Sequence, residues 1–227
     1  MQKKNEKIAV KYADLIISLN KRDAREINDL YNRKVDFILP TTFEDKYNKD
    51  KVINMQYNEK TMLFVGSNFY ANLQGIDWFI KNVLPYLKGI KLNVVGKGTE
   101  EWKDKFSHVK NLNIVGSVKC LDKYYYESDI VILPIFLGSG MKTKTAEALM
   151  YGKYIYGTSE SFEGYELDYD KVGGLCNTKD EFILKINNHF IIHHNKYNEY
   201  SRHVFNEGYN TQKYIEKTKM FLNNLLN

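Results

Sequence analysis

The sequence is short of several features that mark particular classes of protein. Its 227 residues include only two cysteines, Cys120 and Cys176, which are too few for a disulfide framework. Because both lie in or beside apolar segments, we expect two buried free thiols and a reducing compartment. The apolar runs fall short of the roughly 20 residues that cross a bilayer, and residues 1–14 lack the apolar stretch of a signal peptide. We therefore expect a cytoplasmic protein that is at most peripheral to a membrane.

The sequence also lacks a strong excess of charge of either sign. The 33 lysines and arginines face 28 acidic residues, which leaves a net charge of +5, and the lysines are spread along the chain. Such a distribution predicts no nucleic-acid partner. With 43% hydrophobic and 27% charged residues, the composition is that of a globular protein with one good-sized core. A mildly basic surface is compatible with phosphorylated substrates.

Short apolar runs alternate with helical patterns along most of the chain. This alternation is typical of βαβ units on a parallel sheet. Over residues 61–195 it predicts an α/β fold with a doubly wound, Rossmann-like parallel sheet flanked by helices, two of them over 71–87 and 99–106. In such sheets, ligands bind beyond the carboxyl ends of the strands, where the strand order reverses.

The flanking segments have patterns of their own. Residues 1–45 predict a strand, a helix capped by Asn20 and a second strand. Residues 46–60 are polar and aperiodic, which predicts a linker. Residues 196–227 predict an amphipathic C-terminal helix.

The stretch "GSGMKTKTAEALMYG", residues 138–152, follows a buried-strand pattern and raises a question of charge. The Gly138-Ser139-Gly140 turn leaves backbone N–H groups free at the start of a helix, which makes a ready anion site. Lys142 and Lys144 stand at this positive end of the helix, where a cation costs about 0.3–1 kcal/mol unless a counter-charge is present. A bound phosphate would supply that counter-charge.

Glu147 extends this pattern by about one helical turn. It lies roughly 10 Å from Gly140 along the helix axis, at 1.5 Å of rise per residue. A carboxylate at that distance from a phosphate is well placed to accept hydrogen bonds from vicinal ribose hydroxyls. The combination points to a nucleoside diphosphate. The alternative is that Lys144 and Glu147 form an i,i+3 surface pair worth a few tenths of a kcal/mol, while the glycines merely turn the chain.

Other kinds of site are disfavoured by what the sequence does not contain. Gly96-x-Gly98 begins a dinucleotide fingerprint, but Glu101 replaces the third glycine and the next strand ends without an acidic ribose ligand. His189 and His193 stand one helical turn apart, yet no cysteine or carboxylate has the spacing to complete a metal site. The sequence also lacks a nucleophile elbow, a phosphate-binding P-loop and a Cys-x-x-Cys pair. We expect neither a metal nor a cofactor.

Four segments between Thr61 and Asp168 follow one another in a characteristic order: "LFVGSNFYANLQGIDWFIKNVLP", "LNVVGKG", "NLNIVGSVKCLDKYYYESDIVILP" and "GSGMKTKTAEALMYGKYIYGTSESFEGY". This order of motifs resembles the C-terminal, donor-binding half of a GT-B glycosyltransferase of the group 1, or family 4, type. The order and spacing of these motifs make the set specific. The resemblance implies a retaining transferase that uses a nucleotide diphosphate sugar and needs no divalent metal.

The resemblance also implies roles for particular residues. The glycine-bounded turn and its helix hold the diphosphate, Lys142 and Lys144 stabilise its charge as it leaves, and Glu147 binds the ribose. The loop after "NLNIVG" frames the nucleobase, and the end of the first strand of the domain faces the sugar phosphate. The donor-binding residues implied are Gly66, Ser67, Asn68, Ser117, Val118, Lys119, Gly138, Ser139, Gly140, Met141 and Thr143.

Two departures from the family pattern bear on function. Ser139 stands where many members carry a second glutamate, eight residues before Glu147, and a serine holds a sugar hydroxyl less strongly than a carboxylate. Residues 1–45 resemble only the closing part of the acceptor-binding first domain, to which the segment 196–227 crosses back.

The implied partners are a nucleotide sugar, a glycan or lipid-linked acceptor, and a polypeptide that supplies the missing N-terminal half. The chain alone is therefore expected to transfer little sugar. A non-catalytic nucleotide-sugar-binding or structural module is the alternative function.

Overall fold

The computed structural model of the chain divides into two units, residues 45–205 and residues 1–44 together with 206–227. Residues 51–58 of the predicted linker and the predicted site residue Ser139 lie outside the described residues. The structure describes residues 2–50, 59–138, 140–193 and 195–226.

The smaller unit contains a two-stranded parallel sheet, in which Ile17 pairs with Phe37. As predicted, Asn20 caps a helix, and its side-chain oxygen accepts a 2.8 Å hydrogen bond from the N–H of Asp23. The ring of Phe37 stacks on that of Phe221, with centroids 4.6 Å apart. The elements of this unit are α1 (Gln2–Tyr12), which the sequence pattern does not predict, β1 (Ile17–Ser18), α2 (Lys21–Tyr31), β2 (Phe37–Ile38) and α9 (Thr211–Leu226).

A parallel sheet of six strands forms the centre of the larger unit and confirms the predicted fold class. Its strands are β3 (Lys60–Val65), β4 (Ile90–Val95), β5 (Leu112–Gly116), β6 (Ile130–Leu133), β7 (Tyr154–Gly157) and β8 (Gly173–Leu175). Their order is β5-β4-β3-β6-β7-β8. The chain therefore moves outward from β3 in one direction and then returns to its other side at β6. This is the doubly wound order, and its switch point lies between β3 and β6.

Helices connect these strands and cover both faces of the sheet. One of them, α7, begins with a capping box in which Thr178 and Glu181 each accept a hydrogen bond from the backbone N–H of the other. The connecting elements are α3 (Tyr70–Asn82), α4 (Asp122–Glu127), α5 (Thr143–Met150), α6 (Tyr169–Val172), α7 (Lys179–Ile192), α8 (Glu199–Gly208) and the one-turn helices Leu84–Tyr86, Thr99–Trp102 and Glu160–Phe162.

The core is divided by the sheet because successive side chains of a strand point to opposite faces. On one face, Phe64 belongs to a cluster with Phe79 of α3 and Phe182 of α7, whose rings meet edge to face at 5.5 Å. On the other face, Leu63 is fully buried, as is Leu149 of α5, and neither belongs to that cluster. Apolar side chains therefore pack against both faces of the sheet.

Two predicted helices of this unit are shorter than expected. The helix predicted over 71–87 ends at Asn82, because Pro85 cannot continue it, and a single turn follows. Over 99–106 only one turn forms, although Trp102 and Phe106 are buried as a helical pattern requires. There the Glu100 carboxylate binds Ser117 and ties the turn to the end of β5, so a tertiary contact overrides the local preference.

The C-terminal segment 196–227 forms two helices, α8 and α9, instead of the single helix predicted. The break follows Gly208, a poor helix former. At the break, the carbonyl of Tyr209 accepts a 2.9 Å hydrogen bond from the N–H of Phe43, and the N–H of Thr211 donates to the carbonyl of Phe43 at 3.0 Å. These backbone groups therefore pair with another segment of the chain, which interrupts the helix.

The two cysteines differ in burial. Cys176 is a buried free thiol, as predicted, and burial raises its pKa to about 12. The prediction is wrong for Cys120, which is exposed. Cys120 lies in the loop between β5 and α4, and such loops run over the protein surface even when their neighbours in sequence are apolar.

Candidate functional site

A cleft of about 900 Å³ opens in the larger unit beyond the carboxyl ends of the strands, at the switch point between β3 and β6. The loops after β3, β4, β5 and β6 and the first turn of α5 form its walls. It therefore lies where the sequence places a ligand site. Among the predicted site residues, the structure brings together Gly66, Ser67, Ser117, Val118, Gly138, Met141, Lys142, Thr143, Lys144 and Glu147 in its lining.

Three predicted residues lie near the cleft without lining it: Asn68, Lys119 and Gly140. The side chain of Asn68 is turned to protein partners. Its amide donates to Glu101 at 2.7 Å, and its oxygen accepts from the indole N–H of Trp102 at 2.9 Å. Asn68 therefore ties the loop after β3 to the turn that follows β4.

Helix α5 presents its N-terminus to the cleft. Its N-cap residue, Lys142, has an extended backbone and makes no side-chain cap. The first-turn residues Thr143 and Lys144 both line the cleft. A helix that begins without a side-chain cap leaves partial positive charge and N–H donors for an anion.

The Lys144 ammonium lies in the cleft lining without an acidic partner among the described residues. Its Nζ donates to Oδ1 of Asn72 and lies 5.4 Å from the ring centroid of Phe64. None of the ion pairs in the described part of the chain includes it. Burial, and after it the nearby charge of Lys142, lowers the pKa of Lys144 to about 8, against a smaller opposing effect of Glu147. An anion bound here would therefore relieve a real electrostatic cost.

Asn72 is a site residue that sequence reasoning missed. It is buried on α3, donates to the carbonyl of Ser67 at 2.9 Å, and accepts from Lys144. A Cβ at Gly66 would lie 3.0 Å from Cγ of Asn72, so a side chain there would press on Asn72 and displace it by a few tenths of an ångström. The available signal was periodicity, because Asn72 is a polar residue four positions before Ile76, on the apolar face of the helix.

Lys142 differs from Lys144, because protein atoms supply its counter-charge. Its ammonium lies 2.6 Å from Glu160 and 3.8 Å from Glu163, and it donates to the carbonyl of Gly140 at 2.6 Å. A Cβ at Gly138, whose φ is +153°, would lie 3.1 Å from the Glu160 carboxylate. The expectation that both lysines require an external anion is therefore wrong for Lys142, because the loop after β7 already places two carboxylates beside it.

Glu147 lies in the cleft on the side of α4. Its carboxylate accepts a 3.2 Å hydrogen bond from the hydroxyl of Tyr125. Burial raises the pKa of Glu147, while the Tyr125 hydrogen bond and the nearby lysines Lys46 and Lys144 lower it. Lys144 and Glu147 form no ion pair, and both are partly buried in the cleft wall. This contradicts the alternative in which they form a surface pair.

The nucleobase loop predicted after β5 is only partly available to a ligand. The N–H of Ser117 donates to Glu100 at 3.0 Å, and its hydroxyl donates to the same carboxylate at 3.1 Å. A hydrogen bond from its own backbone N–H, and after it these hydrogen bonds from Ser117, hold the pKa of Glu100 below its usual value. Val118 and Leu121 line the same end of the cleft and offer it apolar contact.

The histidine pair is part of the packing between α7 and the sheet. Burial lowers the pKa of His189 to about 3, and its Nδ1 lies 3.1 Å from the hydroxyl of Tyr156. The rings of His189 and His193 stack at 4.8 Å. Across the described ranges, no three His, Cys, Asp or Glu side chains are grouped so that they could hold a metal ion. None of the helices in the same ranges is both long and apolar enough to cross a membrane.

Comparison with known sequences identifies a family and a relative of this chain. The sequence model of the family described as glycosyl transferases group 1 matches residues 59–188, which is more than half of the chain. A Klebsiella pneumoniae protein, described as an uncharacterized 44.6 kDa protein in the cps region, is 28% identical over 164 residues. The match covers 66% of this chain and 41% of that protein.

Solved structures share the fold. Sucrose-phosphate synthase from Thermosynechococcus elongatus is similar with a TM-score of 0.75 at 14% identity, covering 97% of this chain and 60% of that one. Anabaena HepE in complex with UDP is similar with a TM-score of 0.74 at 11% identity, covering 95% of this chain and 65% of that one. The chain thus spans 41% of the length of the Klebsiella protein and 60% and 65% of the two solved chains.

Proposed function

Because the chain belongs to the glycosyl transferases group 1 family, we propose that its cleft binds a nucleoside-diphosphate sugar as glycosyl donor. With an acceptor-binding domain present, the sugar is transferred with retention of its anomeric configuration to a glycan or lipid-linked acceptor. The matched region, residues 59–188, contains every wall of the cleft. The donor is held without a metal ion.

The observation that carries this proposal is the Lys144 ammonium. It is partly buried, it lies at the uncapped N-terminus of α5, and burial, followed by the nearby charge of Lys142, lowers its pKa to about 8. A diphosphate in the cleft provides a counter-charge for Lys144 and accepts hydrogen bonds from backbone N–H groups at the start of the helix. In glycosyl transfer the same groups stabilise the negative charge that develops on the leaving diphosphate.

The two lysines have different tasks in this proposal. Lys144 contacts the diphosphate. Lys142, which is paired with Glu160 at 2.6 Å, chiefly holds the glycine turn in place and adds less to binding. Glu147 accepts hydrogen bonds from the ribose hydroxyls, and the base lies beside Val118. The UDP present in the HepE structure supports a nucleoside diphosphate as the ligand of this fold.

The partners of the chain follow from the part of the family fold it contains. Since the chain spans 41% of the Klebsiella protein and 60% of the sucrose-phosphate synthase chain, we propose that another polypeptide segment completes the acceptor site. The 227-residue chain should then bind donor yet transfer little sugar, and a supplied acceptor domain should restore transfer. Continued binding without transfer in that experiment would favour a non-catalytic nucleotide-sugar-binding module.

Isothermal titration calorimetry with UDP, GDP and ADP tests the site itself. Lys144→Ala and Glu147→Ala should each weaken binding by about 1–3 kcal/mol, because each removes a hydrogen bond to a charged group. Lys123→Ala is the matched control, since it removes a lysine whose side chain is 70% exposed on α4. The proposal fails if the unaltered chain binds no nucleotide at millimolar concentration. It also fails if both site variants lose stability but bind normally.

A further inference from the structure

The Glu147 carboxylate is held by a tyrosine from a neighbouring helix. Tyr125 lies in the middle of α4, is fully buried, and directs its hydroxyl to Oε2 of Glu147 at 3.2 Å. Within the described part of the chain, no other hydrogen bond reaches the carboxylate of Glu147. The second oxygen, Oε1, is thus free for a ligand in the cleft.

Tyr125 is itself fixed in orientation. Its ring stacks on that of Tyr151, with centroids 4.5 Å apart and planes 6° from parallel. The hydroxyl of Tyr151 donates to Asp122 at 2.6 Å, at the start of α4. The Tyr125 phenol is therefore immobilised by packing against a ring that is itself anchored by a hydrogen bond, so it holds Glu147 without losing further side-chain freedom when a ligand binds.

We propose that Tyr125 is the positioning residue for ribose recognition: its hydroxyl holds Oε2 of Glu147 so that Oε1 faces the ribose hydroxyls of the bound nucleotide. This inference rests on the proposed function, since it assigns Glu147 to the ribose. It adds a residue outside the cleft lining, on α4, as the determinant of the discrimination between ribonucleotides and deoxyribonucleotides.

The electrostatics of the site support this arrangement. A carboxylate that must accept two hydrogen bonds from a diol has to be ionised, and burial works against ionisation. Burial raises the pKa of Glu147, and among the opposing influences the Tyr125 hydrogen bond is the largest. Tyr125 therefore sets the direction of the carboxylate and also helps to keep it charged.

The variant Tyr125→Phe distinguishes ribose positioning from a purely structural role of the Tyr125 hydroxyl. Tyr125→Phe keeps the buried ring and its stacking, so the thermal midpoint should stay within about 3 °C of the unaltered chain. If the hydroxyl served packing alone, nucleotide preference would not change. Tyr126→Phe is the matched control, because Tyr126 is the next residue on α4, is also buried, and places its hydroxyl 3.3 Å from the carbonyl of Lys46.

The experiment measures, by calorimetry, the dissociation constants of UDP, GDP and ADP and of their 2′-deoxy forms for the full chain and its variants. For the base that binds most tightly, the deoxy form should bind the unaltered chain about tenfold more weakly than the ribo form. In Tyr125→Phe that ratio should fall to about twofold, as in Glu147→Ala, while Tyr126→Phe keeps it. An NMR titration of the glutamate carboxyl groups should show a higher pKa for Glu147 in Tyr125→Phe.

The outcomes separate the two proposals. A Tyr125→Phe chain that keeps the full ribose preference, or in which the pKa of Glu147 does not rise, overturns the positioning role while leaving donor binding intact. Absence of nucleotide binding by the unaltered chain overturns the proposed function, and the positioning role with it. A reduced ratio together with a raised pKa, both absent from Tyr126→Phe, supports the proposal.

Discussion

Replacement of Lys144 by methionine tests whether the protonated ammonium is unfavourable in the unliganded protein. The pKa of Lys144 is held at about 8, which corresponds to about 3 kcal/mol of free energy opposing the protonated ammonium in the unliganded protein. Residual solvent contact screens part of this, and the variant loses the hydrogen bond to Asn72. Lys144→Met should therefore change the free energy of unfolding at pH 7 by less than about 1 kcal/mol, or increase it.

Ligand binding should then be coupled to a proton. A bound diphosphate supplies the missing counter-charge and raises the pKa of Lys144 above its value of about 8 in the free protein. Binding of UDP should take up about half a proton at pH 8 and about a tenth at pH 7. As pH rises above 8, more of the free protein carries a neutral Lys144, so the affinity should fall by up to about tenfold per pH unit.

Calorimetry at pH 8 in two buffers with different heats of ionisation measures this proton uptake. The phosphate groups of UDP, which ionise near pH 6, contribute little at that pH. Lys144→Met should bind UDP at least about tenfold more weakly and take up no proton on binding. Lys123→Met should have the same UDP affinity and the same proton uptake as the unaltered chain. Tight binding without proton uptake by the unaltered chain, or unchanged uptake in Lys144→Met, would refute the reasoning.

Three further predictions use other parts of the larger unit. Asn72→Leu removes the acceptor that orients the Lys144 ammonium, so calorimetry should show UDP binding weakened about threefold to tenfold; unchanged affinity would mean that Lys144 needs no such partner. Lys153 is fully buried with its pKa lowered to about 7, so the unfolded chain binds more protons between pH 7 and 9. The thermal midpoint should therefore rise over that range, and Lys153→Met should flatten the rise; an equal slope in both chains contradicts this. Because Cys120 is exposed and Cys176 buried, a thiol reagent should modify one cysteine in the native chain and both in denaturant, and two rapid reactions in the native state would show the burial to be wrong.

Short-range patterns in the sequence were enough to predict the fold class and many of the residues that line the cleft. The alternation of strands and helices predicts the parallel sheet, because the spacing of apolar residues within each element matches the period of its buried face. The cap at Asn20 is likewise a local interaction, made with Asp23 three residues on. The spacing from the glycine turn to Lys144 and Glu147 follows from helix geometry alone. The structure places both side chains in one cleft.

The charge partners of the site depended on tertiary structure. Lys142 pairs with Glu160, 18 residues later in the sequence, and Lys144 donates to Asn72, 72 residues earlier. Glu147 is held by Tyr125, 22 residues before it. No periodicity joins residues so far apart, because their approach is set by the order in which the strands enter the sheet.

The sequence by itself therefore determined the alternation of strands and helices in the larger unit, the class of fold and the helix that carries the charged residues. Only the tertiary structure decided which of the two lysines is paired with carboxylates of the protein and which has no acidic partner in the part of the chain that the structure describes. The physical reason is the separation along the chain of the residues that interact. Hydrogen-bonded helices and alternating strands depend on neighbours a few residues away, whereas the burial and pairing of a charge depend on every segment packed around it.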